Sequence, residues 1–452
     1  MSVLPATVIF RDCLYLVLPS LANSSFKFLF DFLIVVVISE LSFTLFSDHA
    51  LLVLSLTFLS IVLLLTTFAS DAREMFKNLL HSSNLLHKPV FLSQNRNQHL
   101  KFISYARACI NVATAICILA VDFRFYPRRF AKTETFGTGV MDTGVGLFVI
   151  SNALVAPEAR QKTVRNRSFL DKMSMLFLSI KSCVPLLTLG LSRVMVIKRI
   201  DYQEHVSEYG THWNFFFTLA AVKIFSTFFF CFVSSTYSWL VSIIVGVAYQ
   251  WYLQCGLQEY ILHGWDGQGS RTGLFDANRE GIFSSFGYVV LYFAGIQLGC
   301  YIFVIRKSFL HWIKCLQGLT ALSVGCWISL PVCCHIIGPI SRRLANLPYV
   351  IWIIGLCSMV LAIFLAADLF TMLLTFTQND AKKPNRKQKK TSSVKNSKIC
   401  QIPSKSENSI CLMDAINYNG LVFFLTSNLL TGALNLYLLW FAGKYHVFLL
   451  IS

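Results

Sequence analysis

The sequence predicts an all-α polytopic membrane protein, a bundle of about 11–13 transmembrane helices. Three observations carry that prediction. Hydrophobic residues fill 55% of the 452 positions and charged residues 13%, too little polar surface to cover a water-soluble core of this size. Apolar runs close to the ~20 residues needed to cross ~30 Å of hydrocarbon recur along the whole chain. Short alternating segments of the outer-membrane barrel kind do not occur, which leaves helices, whose backbone groups satisfy one another.

Taken in order, the clear spans lie near 30–47, 51–70, 104–121, 138–156, 174–192, 213–233, 237–255, 282–305, 315–337, 347–375 and 419–441. Residues 7–22 form a marginal extra span, because Arg11 and Asp12 are expensive at mid-membrane unless they pair or sit at the interface. The order of charged and apolar residues near the amino end is not that of a secretory signal. The main bundle is therefore expected over residues 1–377. The basic, Ser/Lys-rich stretch 378–417 reads as a disordered cytosolic linker, and 418–452 as a last helix and tail packing on the bundle.

A formal charge of +17 would suit a nucleic-acid partner, yet it is divided among short loops, so no nucleic acid is expected. The loops on one face, 71–103, 158–173, 306–314 and 376–418, hold 22 Lys and Arg, and the opposite face holds 12. The positive-inside rule assigns the first face to the cytosol and the second to the lumen. A glycosylation sequon, Asn166-Arg167-Ser168, lies on the cytosolic side of that topology. Fourteen scattered cysteines show no CxxC pair and no zinc spacing, so they read as small packing residues, and no resident cofactor or metal is expected. No GxSxG elbow, HxxxxD box, DHHC run, Walker loop or HExxH is present, which removes support for hydrolase, nucleotide-triphosphatase and metalloprotease readings.

The unusual polar sequence gathers on the less basic face. Asp142 falls about one turn into the fourth clear span, where a carboxylate loses hydration and needs a cation. Lys132, Arg128 and Arg129 stand just before that span, and four nearby glycines permit a bent helix start. Such a carboxylate suits general-base work on a hydroxyl, or else a structural ion pair between helices. His212 opens a later span with Glu208 four residues earlier, a spacing at which the carboxylate orients the imidazole if the helix begins early. In "FDANREG", Asp276 or Asn278 suits a helix cap, while Arg271 and Arg279 suit a phosphate. Asn428 and Asn435, seven apart, share one face of the final helix, as inter-helix glue or as partners for a hydroxyl-rich head group.

The blocks "PRRFAKTETFGTGVMDTGVGLFVISNAL", "GTHWNFFFTLA", "ANREGIFSSFGY", "RRLANLPYVIW" and "NLLTGALNL", in this order, resemble the inositol acyltransferases of GPI-anchor biosynthesis, the PIG-W type. The resemblance runs from about residue 100 to the end. It implies a multi-pass enzyme of the endoplasmic reticulum that moves a fatty acyl group, typically palmitoyl, from acyl-CoA to the inositol hydroxyl of glucosaminyl-phosphatidylinositol. Acyl-CoA is then a co-substrate, and membrane lipids surround the chain. On that basis Asp142 is the expected base, tuned by Lys132, with His212 its rival. Arg128, Arg129 and Arg279 are expected to hold phosphates, and Asn278, Asn428 and Asn435 to line the head-group cavity with His212. The competing class is a polytopic transporter that uses the intramembrane Asp and Lys as a coupling site.

Overall fold

The computed structural model describes residues 2–22, 26–68, 100–160, 168–199, 206–306, 308–381 and 411–445, and their regular structure is helical throughout. Among the described residues, eight helices are long and apolar enough to cross a membrane: Ser47–Thr66, Lys101–Ala120, Phe169–Val196, Ser235–His263, Arg279–Ile302, Phe309–Ile337, Leu347–Leu373 and Gly420–Leu438. This is an all-α polytopic membrane protein. Each of the eleven expected spans is helical, but three fall short of that standard. Asp142–Leu154 has 13 residues and Phe215–Phe230 has 16, because the chain before each is held in turns. The expected span at 30–47 is Lys27–Asp31 and Ile38–Phe43 joined through a π-helical stretch, Phe32–Val37.

The chain forms two compact units, Met1–Arg128 with Ile305–Thr320 and Met359–Ser452, and Arg129–Val304 with Ala321–Ser358. In the first, helix Val3–Val17 packs against Ala50–Phe68. Its Arg11 and Asp12 do pair, at 2.6 Å, and Lys101 joins Asp12 at 2.7 Å, which is how two charges are accommodated in an apolar helix. Asp31, fully buried, accepts from the Tyr15 hydroxyl at 2.7 Å and from the backbone N–H of Leu412 at 3.2 Å. Most of the expected linker lies outside the described residues. Its two ends differ from the expectation: residues 378–381 complete helix Leu347–Ala381, and Leu412–Tyr418 is a helix that buries Leu412, Met413 and Ile416.

In the second unit helix Arg279–Ile302 is central, packed by Asp142–Leu154, Phe215–Phe230 and Ser238–Tyr252. Gly295 and Gly299 let the Asp142–Leu154 helix approach closely; a Cβ at Gly295 would stand 2.7 Å from the Ile150 carbonyl oxygen. Small residues at such a crossing replace the hydrophobic drive that lipid does not supply. Asn214 starts the Phe215–Phe230 helix: its side-chain oxygen accepts from Phe216 and Phe217, and its amide donates to the Gly190 carbonyl at 2.9 Å.

Candidate active site

The conspicuous polar structure of the second unit is built where four chain segments meet: 131–142, 206–214, 271–280 and 338–346. Each segment runs into a helix, so short polar loops are fixed by long apolar anchors. The 338–346 segment is tied most firmly. Asn346 accepts from Ser341 and Tyr349, Ser341 donates to the Thr135 carbonyl at 2.6 Å, and Tyr249 donates to the Leu344 carbonyl at 2.7 Å. That segment delivers two adjacent, buried arginines, Arg342 and Arg343, into two different ionic networks.

Arg342 carries the first. Its Nε donates to Asp142 at 2.8 Å and its Nη1 to Glu208 at 3.1 Å, and Glu208 also takes Lys132 at 2.9 Å. Asp142 has no solvent exposure and additionally accepts from the backbone N–H of Gly139 at 2.8 Å and of Thr133 at 3.1 Å. The cation beside Asp142 is therefore Arg342, two hundred residues away in sequence, and Lys132 pairs with Glu208 instead. Burial works against ionisation of Glu208, but Lys132 and Arg342 outweigh it and hold its carboxyl down to about 2. Arg342 is pushed the other way: burial opposes its charge, and Glu208 leads the groups that keep it protonated.

Because the folded value of Glu208 lies below the ordinary 4.5, the stabilisation it contributes is present above pH 4.5 and is lost as pH falls toward 2. The shift corresponds to a contribution on the order of 3 kcal/mol at neutral pH. Thermal unfolding in detergent should show a drop through that window that is absent in Glu208→Gln. Tyr349 closes the same network from beneath. Its hydroxyl donates to the Asp142 carbonyl at 2.9 Å and accepts from the Gly146 N–H at 3.2 Å. Tyr349→Phe should cost about 1–2 kcal/mol, read in the same melts, since it removes both of these hydrogen bonds.

The second network centres on Glu280, also without solvent exposure. Arg271 holds it through two hydrogen bonds, 2.6 and 2.9 Å, and Arg343 donates to it at 2.8 Å. The third joins Arg279 to Asp276 at 3.0 Å, with Tyr260 donating to the same carboxylate oxygen at 3.0 Å. Arg279 further donates to the Ile261 and Ser270 carbonyls. It is 1% exposed and its bonds tie down the 258–271 segment, so in this conformation it offers no phosphate the grip expected of it.

Other expected site residues also land differently. Asn278 is a clamp rather than a head-group contact: it accepts from the N–H of His212 and Trp213, both at 2.8 Å, and donates to Leu274. It occupies the cap position of helix Arg279–Ile302 without capping it through its side chain. His212 precedes the helix, which starts at Phe215, and Glu208 belongs to a separate turn, Val206–Tyr209, so Glu208 serves Lys132 and Arg342 and does not orient the imidazole. Arg128 and Arg129 are exposed; Arg128 donates to the Val121 carbonyl at 3.4 Å and Arg129 lies over the Phe130 ring. Asn428 and Asn435 belong to the other compact unit. There Asn435 donates to Asp122 at 2.6 Å and Asn428 to its own helix at Phe424, the arrangement of glue between and within helices.

Sequence reasoning missed Arg342, Arg343 and Tyr349. A signal was available in the charge balance: a desolvated Asp142 requires a buried cation, and the adjacent pair in "ISRRLANLP" was as eligible as Lys132.

Eight helices able to span a membrane among the described residues, with a buried, loop-borne ionic site at helix ends of the second unit, define a polytopic membrane protein. The chain matches the GWT1 family over residues 1–441 and belongs to it. It is 38% identical over 427 residues to glucosaminyl-phosphatidylinositol-acyltransferase PIGW of Bos taurus, covering 92% of this chain and 82% of that protein. Identity to the Homo sapiens protein of the same name is 40% over 339 residues, 74% of this chain and 67% of that one. GPI-anchored wall transfer protein 1 of Gibberella zeae is 35% identical over 434 residues, 91% of this chain and 82% of its own.

Proposed function

We propose that the protein is an O-acyltransferase that moves a fatty acyl group, palmitoyl or similar, from acyl-CoA to the inositol hydroxyl of glucosaminyl-phosphatidylinositol. The observation that carries this reading is the similarity over most of the chain to the Bos taurus acyltransferase. The chain from Lys132 through Glu208 and Arg342 to Asp142 supports it, because it places a carboxylate and an accessible ammonium, the groups that general-base acyl transfer to an alcohol uses, in one connected network. In the reaction the inositol oxygen bonds to the thioester carbonyl carbon as its proton passes to Asp142. The carbon–sulfur bond then breaks, and the leaving thiolate recovers that proton. Lys132, whose side chain is 44% exposed, is the accessible end of the chain and faces charge that develops on the thioester oxygen.

Asp142 reaches substrate only if the 131–139 turn releases it, because the Thr133 and Gly139 amides fill its lone pairs. Gly137, at φ 138°, gives that turn a pivot no other residue adopts readily. Acyl transfer from palmitoyl-CoA by purified protein tests the reaction and the base together. Asp142→Asn should lower kcat by about 10²–10⁴ with folding retained, and His212→Ala should lower it far less. Product from Asp142→Asn and none from His212→Ala would move the base to His212.

The loops that carry the site face the lumen of the endoplasmic reticulum in this reading, which rests on the division of Lys and Arg between the two faces. Asn166 should then stay unglycosylated, while a sequon introduced into the exposed 265–269 loop should acquire a glycan. A glycan on Asn166 would invert the assignment.

A further inference from the structure

We propose that Arg343, with Arg271, is the binding site for a phosphate ester, and that its occupant is the phosphodiester of the inositol lipid. The proposal rests on the acyltransferase reading and gives it a substrate contact that none of the expected residues supplies.

The argument begins with charge. The three networks hold four carboxylates, Asp142, Glu208, Asp276 and Glu280, against five cations, Lys132, Arg271, Arg279, Arg342 and Arg343. Asp142 and Glu208 balance Arg342 and Lys132, and Asp276 balances Arg279, so the surplus positive charge sits on Glu280 and its two guanidinium groups. Arg271 spends both terminal nitrogens on that carboxylate and donates to the Ala277 carbonyl as well. Arg343 spends one: Nη2 donates to Glu280, while Nε is buried with no partner. Its side chain is 9% exposed.

A guanidinium is built to present paired N–H groups to a carboxylate or phosphate, and a desolvated one with an orphaned N–H is costly unless an anion completes it. Arg279 and Arg342 differ in this respect, each holding several acceptors, so the deficit belongs to one residue. A monoanionic phosphodiester fits a surplus of one charge, and the donor set is guanidinium, which prefers planar two-point contact with phosphate oxygens. Arg342 and Arg343 are adjacent in the chain, so the same 338–346 segment carries both the phosphate contact and the cation beside Asp142.

The test uses full-length protein in detergent. Arg343→Gln should raise KM for glucosaminyl-phosphatidylinositol at least tenfold, with kcat and the KM for palmitoyl-CoA within threefold of wild type. Arg343→Lys should recover part of the loss. A rise confined to the KM for palmitoyl-CoA would assign the phosphate ester to CoA and overturn the lipid assignment. Unchanged values for both substrates would overturn the site. A second readout does not need turnover: phosphatidylinositol in mixed micelles should raise the Tm of wild type more than phosphatidylcholine does, and this difference should vanish in Arg343→Gln. If phosphatidylinositol stabilises wild type selectively and no acyl transfer is found, the phosphate site stands and the acyltransferase reading falls. If acyl transfer proceeds and wild type and Arg343→Gln respond equally to phosphatidylinositol, the site falls alone.

Discussion

Arg342→Gln should be the most damaging single substitution in the second unit, lowering stability by about 3–5 kcal/mol. The guanidinium is 96% buried as a side chain and bridges two carboxylates, one of them with no solvent exposure, so its removal leaves Asp142 and Glu208 without their common counter-charge. Lys132 remains for Glu208, whereas Asp142 keeps only backbone N–H donors. A double-mutant cycle isolates the ionic part of this loss. Asp142→Asn combined with Arg342→Gln should be less destabilised than the sum of the single changes, and strict additivity in thermal melts would show that the pair is not coupled. Arg342→Lys should rescue poorly, because one ammonium cannot reproduce two divergent N–H contacts.

Glu280→Gln should come next, with an expected loss of about 3–5 kcal/mol. The same carboxylate neutralises Arg271 and Arg343, which arrive from segments on either side of it in sequence, so the amide would leave two guanidiniums facing each other in a poorly hydrated site. The expected readout is a lower melting temperature together with protease cleavage in the 264–278 segment, whose anchor is lost. Stability within 1 kcal/mol of wild type would mean that solvent reaches the pair and screens it.

The class of fold was legible because bilayer length and helix rise fix what an apolar run of a given length can be. The helices came out where hydropathy placed them, and they fell short where loop hydrogen bonding decided the boundary. Nothing in the run around Asp142 announces that Gly139 and Thr133 will hold its carboxylate and fix the helix start there. The site was legible as a set of segments and illegible as a set of pairs. Lys132 was the nearest cation in sequence to Asp142, but tertiary packing brought Arg342 and sent Lys132 to Glu208. Asn278 and Arg279 sat in the right block, yet backbone carbonyls and amides, which a sequence does not display, took up their side chains. Arg11 and Asp12, by contrast, were resolved as the sequence demanded, by pairing with one another.

The two short apolar helices have a mechanical consequence. Asp142–Leu154 is 13 residues and Phe215–Phe230 is 16, so at 1.5 Å per residue they measure about 20 and 24 Å, below the ~30 Å of an average hydrocarbon slab. Both begin at the ionic site. No residue of 142–154 is exposed, and only Phe225 and Phe228 of 215–230 are, so their shortness is taken up inside the protein, where the polar segments that precede them occupy the length a full span would use. Host-membrane thickness is then met by the longer helices around them: in vesicles of graded acyl length, turnover should change little as the chains lengthen.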